Sequence, residues 1–146
     1  MSLPSRFFLL APAQRSLLVK AALLLCAVQA VLLFFPIPFL RRLFSLRRAR
    51  RLRGSPDPGM PDRIAWAVAA ASRFVPGSHR CLPRAMAAHL WLVRAGHPAV
   101  LRVGVAKPSE GKLLSHAWVE CEGKVLMGKT TRAVYTPVLV SKEESE

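Results

Sequence analysis

The spacing of hydrophobic and polar positions changes twice along the chain. From Leu17 to Phe35 it is apolar apart from Lys20 and Gln29, close to the roughly 20 residues that a membrane-crossing helix needs. Three readings of this stretch are open. A cleaved signal peptide fits least, because the run starts late and leads into FFPIPFLRR instead of a small-residue cleavage site. A membrane anchor is the second, with the arginine-rich segment behind it kept on the cytoplasmic side. The third is a helix starting near Pro12, packed on the rest of the domain and ending before Pro36. It is preferred because Lys20 and Gln29 interrupt the run and Pro36 and Pro38 shorten it.

Arg41 to Arg53 predicts a second, basic helix, with Leu40, Leu43, Phe44 and Leu46 as a narrow apolar stripe. GSPDPGMPD, Gly54 to Asp62, holds three prolines and two glycines and reads as a linker. Asp62 is placed to cap a helix through IAWAVAAASRFV, in which Ile64, Ala65, Val68 and Ala71 recur at helical spacing. PGSHR breaks it. The next helix is predicted from Leu82 to Ala95, with Pro83 tolerated in the first turn and Gly96 as the stop. Then the period falls to two. AVLRVGVAK is a strand, KPSEGK a loop, LLSHAWVEC a second strand, EG a turn, KVLM a third strand and Tyr135 to Val140 a fourth. The fold class is therefore α+β: an N-terminal helical region (1–53), a linker (54–62) and a core (63–146) in which a central helix packs on a small antiparallel sheet.

A chain of 146 residues can bury one core unaided. Its formal charge of +14 directs attention to nucleic acid, anionic membrane or an acidic peptide. No DNA- or RNA-binding signature accompanies the arginines, so a nucleic-acid partner is not expected. Cys26, Cys81 and Cys121 are odd in number and lack CxxC spacing, which argues against a disulfide framework and a zinc knuckle and favours a reducing, cytoplasmic compartment. The four histidines match no metal-ligand pattern, and no metal or other cofactor is expected.

Chemistry is suggested by order. A cysteine stands at a helix start, and a histidine lies inside a strand of the following sheet. A thiolate is the nucleophilic form, and the partial positive charge of a helix N-terminus favours it; Arg80 and Arg84 would act in the same sense. If the central helix crosses the sheet, the imidazole of His116 can meet Cys81 and later protonate a leaving amine. Each residue alone also has a plainer reading, Cys81 as a small core residue and His116 as a satisfied strand histidine. Cys26 is expected to be inert. Cys121 falls on the opposite strand face from His116, which shares its side with Trp118 and Glu120.

A third group should orient the ring. A three-residue loop over Cys121 to Gly123 would pair Glu120 with Lys124 and set Gly128 opposite His116, whereas a two-residue turn would set Lys129 there. The chain has no asparagine, and its aspartates, Asp57 and Asp62, both precede Cys81. Glu120 is about 13 Å along the strand from His116, out of direct reach. Thr130, Thr131 or a main-chain carbonyl remain as orienting groups, or the pair works as a dyad. Trp118 either shields the pair or fills the core, and Glu120 is expected to pair with Arg102.

The run CLPRAMAAHLWLVRAGHPAVLRVGV, followed by SHAWVECEGKVLMG, resembles the transglutaminase-like leader peptidases of lasso-peptide maturation, which are papain-like cysteine proteases. The likeness covers about Ile64 to Val140 and is most specific in CLPRA and HAWVE. SRFFLLAPAQRSLLVKAALLL is similar to the helical lead-in of such proteins, which favours the packed reading of the apolar stretch. The resemblance implies a transglutaminase-like core and an enzyme that removes the leader from a ribosomally made precursor peptide. Its partners would be a separate leader-recognition protein and an ATP-dependent cyclase. It makes Cys81 the nucleophile and His116 the base, and it places an aspartate at or near Gly128, where this chain has none. ATP dependence is implied only by the family, since no phosphate loop is visible. Backbone N–H groups of Cys81 and Leu82 are candidate oxyanion donors, with Ser78 or His79 as side-chain helpers. Two alternatives stand beside this reading: a catalytically impaired module of the same fold that binds a precursor or partner, and a membrane-anchored basic protein. The basic segment would attract an acidic leader or a membrane surface.

Overall fold

The computed structural model describes residues 3–35, 57–77, 80–106, 111, 113–128 and 136–140. Within them four helices precede four strands: α1 (Leu3–Phe8), α2 (Pro12–Phe34), α3 (Met60–Ala71), α4 (Cys81–Arg94), β1 (Ala99–Ala106), β2 (Leu114–Cys121), β3 (Lys124–Met127) and β4 (Thr136–Val140). The basic helix expected over 41–53 and the first part of the linker lie outside the described residues. The short α1 was not foreseen as a separate element. Arg15 ties it to α2 by donating to the Phe8 carbonyl at the end of α1 and to the Leu10 carbonyl in the connection, the latter at 3.0 Å.

α2 starts at Pro12, where a missing N–H leaves no bond unmade, and ends before Pro36, with the Phe35 N–H donating to Val31 O at 2.9 Å. Ala21, Leu25 and Val28 form one buried stripe, packed on α3 and α4. Gln29 uses its amide to hold Pro76 O at 3.3 Å, ahead of α4.

α3 departs from expectation at both ends. It begins at Met60, inside the predicted linker, because Pro61 sits in the first turn and its fixed φ suits a helix. Asp57, rather than Asp62, organises the entry: its Oδ1 accepts the Gly59 N–H at 2.9 Å and its other oxygen pairs with Arg63. Asp62 lies within the first turn and receives Lys124 Nζ at 3.3 Å. The helix stops at Ala71, and the Ser72 hydroxyl donates to Ala69 O at 2.7 Å as the chain turns towards Pro76.

α4 is the central element. It starts at Cys81, one residue earlier than expected, and closes after Arg94 on Gly96, whose φ of +88° lets the His97 N–H return to Leu92 O at 3.0 Å. Pro83, Ala85, Met86, Ala87, Ala88, His89, Leu92 and Val93 are buried. A helix covered so widely must have partners on more than one side. α2 and α3 pack on one part of its surface, and β1, β2 and β3 on another.

The sheet has the order β3-β2-β1-β4, with all pairs antiparallel. Ala99, Leu101, Ala117, Val119 and Met127 lie on the face that joins the helical core. Alternation along β2 puts His116, Trp118 and Glu120 on the other face. The β2–β3 hairpin has a two-residue turn, Glu122 (φ 52°) and Gly123 (φ +80°), which pairs Cys121 with Lys124. That overturns the three-residue loop. A bulge follows, since Glu120 pairs with Val125 but Val119 with Met127, and the extra residue was not foreseen from the sequence.

One buried titratable group belongs to this core. Burial lowers the pKa of His89 from 6.5 to about 4, against a hydrogen bond with the Ala99 backbone that favours the proton. Below pH 6.5 the unfolded chain takes up a proton that the folded chain refuses. Stability should therefore fall as pH drops from 6.5 towards 4, by up to about 3 kcal/mol from this group. Urea melts across that range should show the loss, and His89→Gln should flatten it while lowering stability at neutral pH.

Candidate active site

Arg84, from the helix that Cys81 heads, and His116 both reach one step of the chain, Met127 to Gly128. Cys81 occupies the first position of α4, half-buried and packed against the core cluster. No side chain caps this helix end, so its leading N–H groups, those of Cys81 and Leu82 among them, have no intrahelical acceptor. Three residues on, and hence on the same side of the helix, Arg84 donates from Nη2 to Met127 Sδ at 3.5 Å. Its Nε is buried and has no acceptor among the described residues. The result is a cation with no carboxylate partner among the described residues, one turn from a thiol.

His116 approaches the same step from the other side of the sheet. Its Nε2 bonds to the carbonyl oxygen of Gly128. A carbonyl only accepts, so Nε2 carries the proton and Nδ1 is the basic nitrogen. Trp118 stacks beside the ring, with centroids 6.0 Å apart and planes 17° from parallel. The indole N–H donates to Glu120 Oε1 at 2.8 Å, and Arg102 Nε reaches Glu120 Oε2 at 3.0 Å. The expected Arg102–Glu120 pair therefore forms, and it does more than join two strands. It fixes the indole against which the imidazole rests.

Gly128 is the position at which the resemblance implies an aspartate. Neither register considered from the sequence describes it, because the bulge brings it against Ala117 and Trp118. Its φ is +84°, and a Cβ there would lie 2.6 Å from Ala117 O and 3.1 Å from Trp118 Cα. The backbone conformation that delivers the carbonyl to His116 thus leaves no room for a side chain. Of the orienting groups considered, a main-chain carbonyl fills the role; Thr130 and Thr131 lie outside the described residues, as do Ser78 and His79.

Cys81 and His116 are not joined. Among the described residues no hydrogen bond links them, and β2 presents His116 on the face opposite the one that packs on α4. What they share is the Met127–Gly128 step, touched by Arg84 of the thiol's helix and by the imidazole. The other cysteines are placed differently. Cys26 is exposed on α2, while Cys121 is buried, with its thiol pKa raised by burial and then by the Glu122 charge. Among the described residues no cluster of side chains is arranged to hold a metal ion.

A helix headed by cysteine and laid over an antiparallel sheet whose second strand bears histidine defines an α+β domain of transglutaminase-like architecture. A model of the transglutaminase-like superfamily matches residues 21–140. The chain belongs to that superfamily, which includes cysteine peptidases. The match begins at Ala21, the first buried residue of α2, and ends with β4. Searches of curated proteins and of solved structures found no significant match.

The Gly128 geometry makes a direct prediction. Gly128→Ala should destabilise the fold by at least about 2 kcal/mol, from the left-handed φ and the clash with Ala117 O, and Gly128→Asp should do no better. Thermal melts will measure the loss. A Gly128→Asp variant with higher stability or faster turnover would overturn the assignment of the carbonyl as the orienting group.

Proposed function

We propose that the protein is a cytoplasmic cysteine peptidase that removes the leader from a ribosomally synthesised precursor in lasso-peptide maturation. The observation that carries this reading is the hydrogen bond that orients His116: Nε2–H donates to the Gly128 carbonyl, which assigns the role of base to Nδ1. The CLPRA and HAWVE motifs supply the substrate class through the likeness to leader peptidases. Catalytic hydrogen bonds are commonly long in a ligand-free site and tighten in the complex; here the Cys81–His116 pair forms only if binding of the precursor also shifts the head of α4 relative to β2.

The thiolate of Cys81 attacks the scissile carbonyl, and the N–H groups of Cys81 and Leu82 receive the developing oxyanion. Nδ1 of His116 takes the thiol proton of Cys81 and gives it to the departing amine; it then takes a proton from the water that attacks the acyl-enzyme and returns it to the Cys81 sulfur as the acid product leaves. Arg84, which pairs with no carboxylate among the described residues, offers its charge to an acidic group of the leader or to the thiolate. A separate recognition protein presents the leader, and an ATP-dependent cyclase takes the freed amine. No step in this chemistry requires a cofactor.

A second reading has its own support. The placement of His116 on the face of β2 away from α4, with no hydrogen bond to Cys81 among the described residues, favours a module that keeps the fold and binds a precursor without cutting it. Leader release decides between them. With precursor and recognition protein present, mass spectrometry should show the free leader. Cys81→Ala should abolish it, and His116→Ala should slow it by about 10²–10⁴-fold. Precursor bound but never cut by the wild type would establish the binding module, and cleavage unaffected by both substitutions would remove the mechanism.

A further inference from the structure

α2 is apolar on two sides, and only one is used by the core. Val19, Leu23, Cys26, Ala30 and Leu33 recur at spacings of four and three, all exposed, on the side of the helix away from Ala21, Leu25 and Val28. Leu23 is 67% exposed, Leu33 79% and Phe34 80%. Phe8 and Leu9, at the end of α1, extend the exposed apolar surface at the other end of α2. Contiguous apolar surface of this kind marks an interaction site.

The charge around it selects the occupant. Lys20 flanks the outer stripe and lines, with Leu24, Leu90, Trp91, Arg94 and Ala95, a cleft of about 330 Å³ between α2 and α4. Cations beside an apolar face can reach headgroup phosphates while their stems stay in contact with apolar surface. From Met1 to Pro56 the sequence has no acidic residue, and seven arginines fall between Arg41 and Arg53. Each basic residue near an anionic membrane surface adds to the attraction. A second copy of this chain is disfavoured by the same charge, since a contact through α2 would bring together two N-terminal regions that hold basic but no acidic residues. A lone spanning helix is disfavoured too, because crossing the bilayer would withdraw Ala21, Leu25 and Val28 from the core and Gln29 from Pro76.

We propose that the outer face of α2 docks the folded domain on an anionic lipid bilayer, lying in the interface with its inner stripe still packed on α3 and α4. The sheet, which packs on α4, is then carried above the headgroups, and α2 serves as membrane contact and core helix at once. The proposal does not depend on peptidase activity.

Flotation of the full chain with phosphatidylcholine vesicles, with and without phosphatidylglycerol, tests it. Binding should require phosphatidylglycerol, weaken in high salt and reverse in alkaline carbonate. The Leu23→Glu/Leu33→Glu variant alters only exposed positions and should lose at least tenfold in vesicle affinity with an unchanged circular dichroism spectrum. If that variant fails to fold, a polarity-sensitive dye on Cys26 in a Cys81→Ser chain should shift to the blue on anionic vesicles alone. Wild-type protein that stays in solution, binds neutral vesicles equally well or resists carbonate would overturn the proposal. So would a wild-type dimer that Leu23→Glu/Leu33→Glu converts to monomer.

Discussion

The fold depends on the central placement of α4 between the other helices and the sheet. Packing layers onto several sides of one helix requires small side chains where they approach it, and Ala85, Ala87 and Ala88 are all fully buried. Larger residues at those positions would force the layers apart. This arrangement fixes the head of α4, and with it Cys81, relative to the strands. Gly96 and its return hydrogen bonds define where the helix ends and β1 begins, so the thiol is anchored through the whole length of the helix.

The transglutaminase-like architecture was legible wherever periodicity was clean. The change from helical spacing in CLPRAMAAHLWLVR to alternation in AVLRVGVA and SHAWVEC located α4, β1 and β2 to within about a residue. Glu122-Gly123 marked the hairpin, though its length stayed open between two and three residues until the pairing of Cys121 with Lys124 fixed it. Local chemistry was harder to read. Pro61 lay in a segment dense with breakers, yet a proline in the first turn begins a helix as readily as it ends one. The β2–β3 bulge depends on how two strands accommodate each other and leaves no mark on either alone.

The same limit governs the candidate site. The sequence showed which residue types were present and that no acid stood at Gly128. It did not show that backbone would take over, because a carbonyl oxygen is carried by every residue and has no signature. Glu120 could be excluded as a direct partner by its distance along β2. Its influence through Trp118 became visible only when Arg102, the carboxylate, the indole and the imidazole were found on one face. The outer stripe of α2 is a related case, since a helix apolar all round gives a weak directional signal and its neighbours decide which side is left uncovered.

The left-handed turn at Gly128 also limits what can be engineered at this point. A carboxylate here would need a different path for the strand end, because the present path fills the space with Ala117 and Trp118. A single substitution at that codon would meet a closed backbone, so grafting an acid onto this position means redesigning the β2–β3 hairpin along with it.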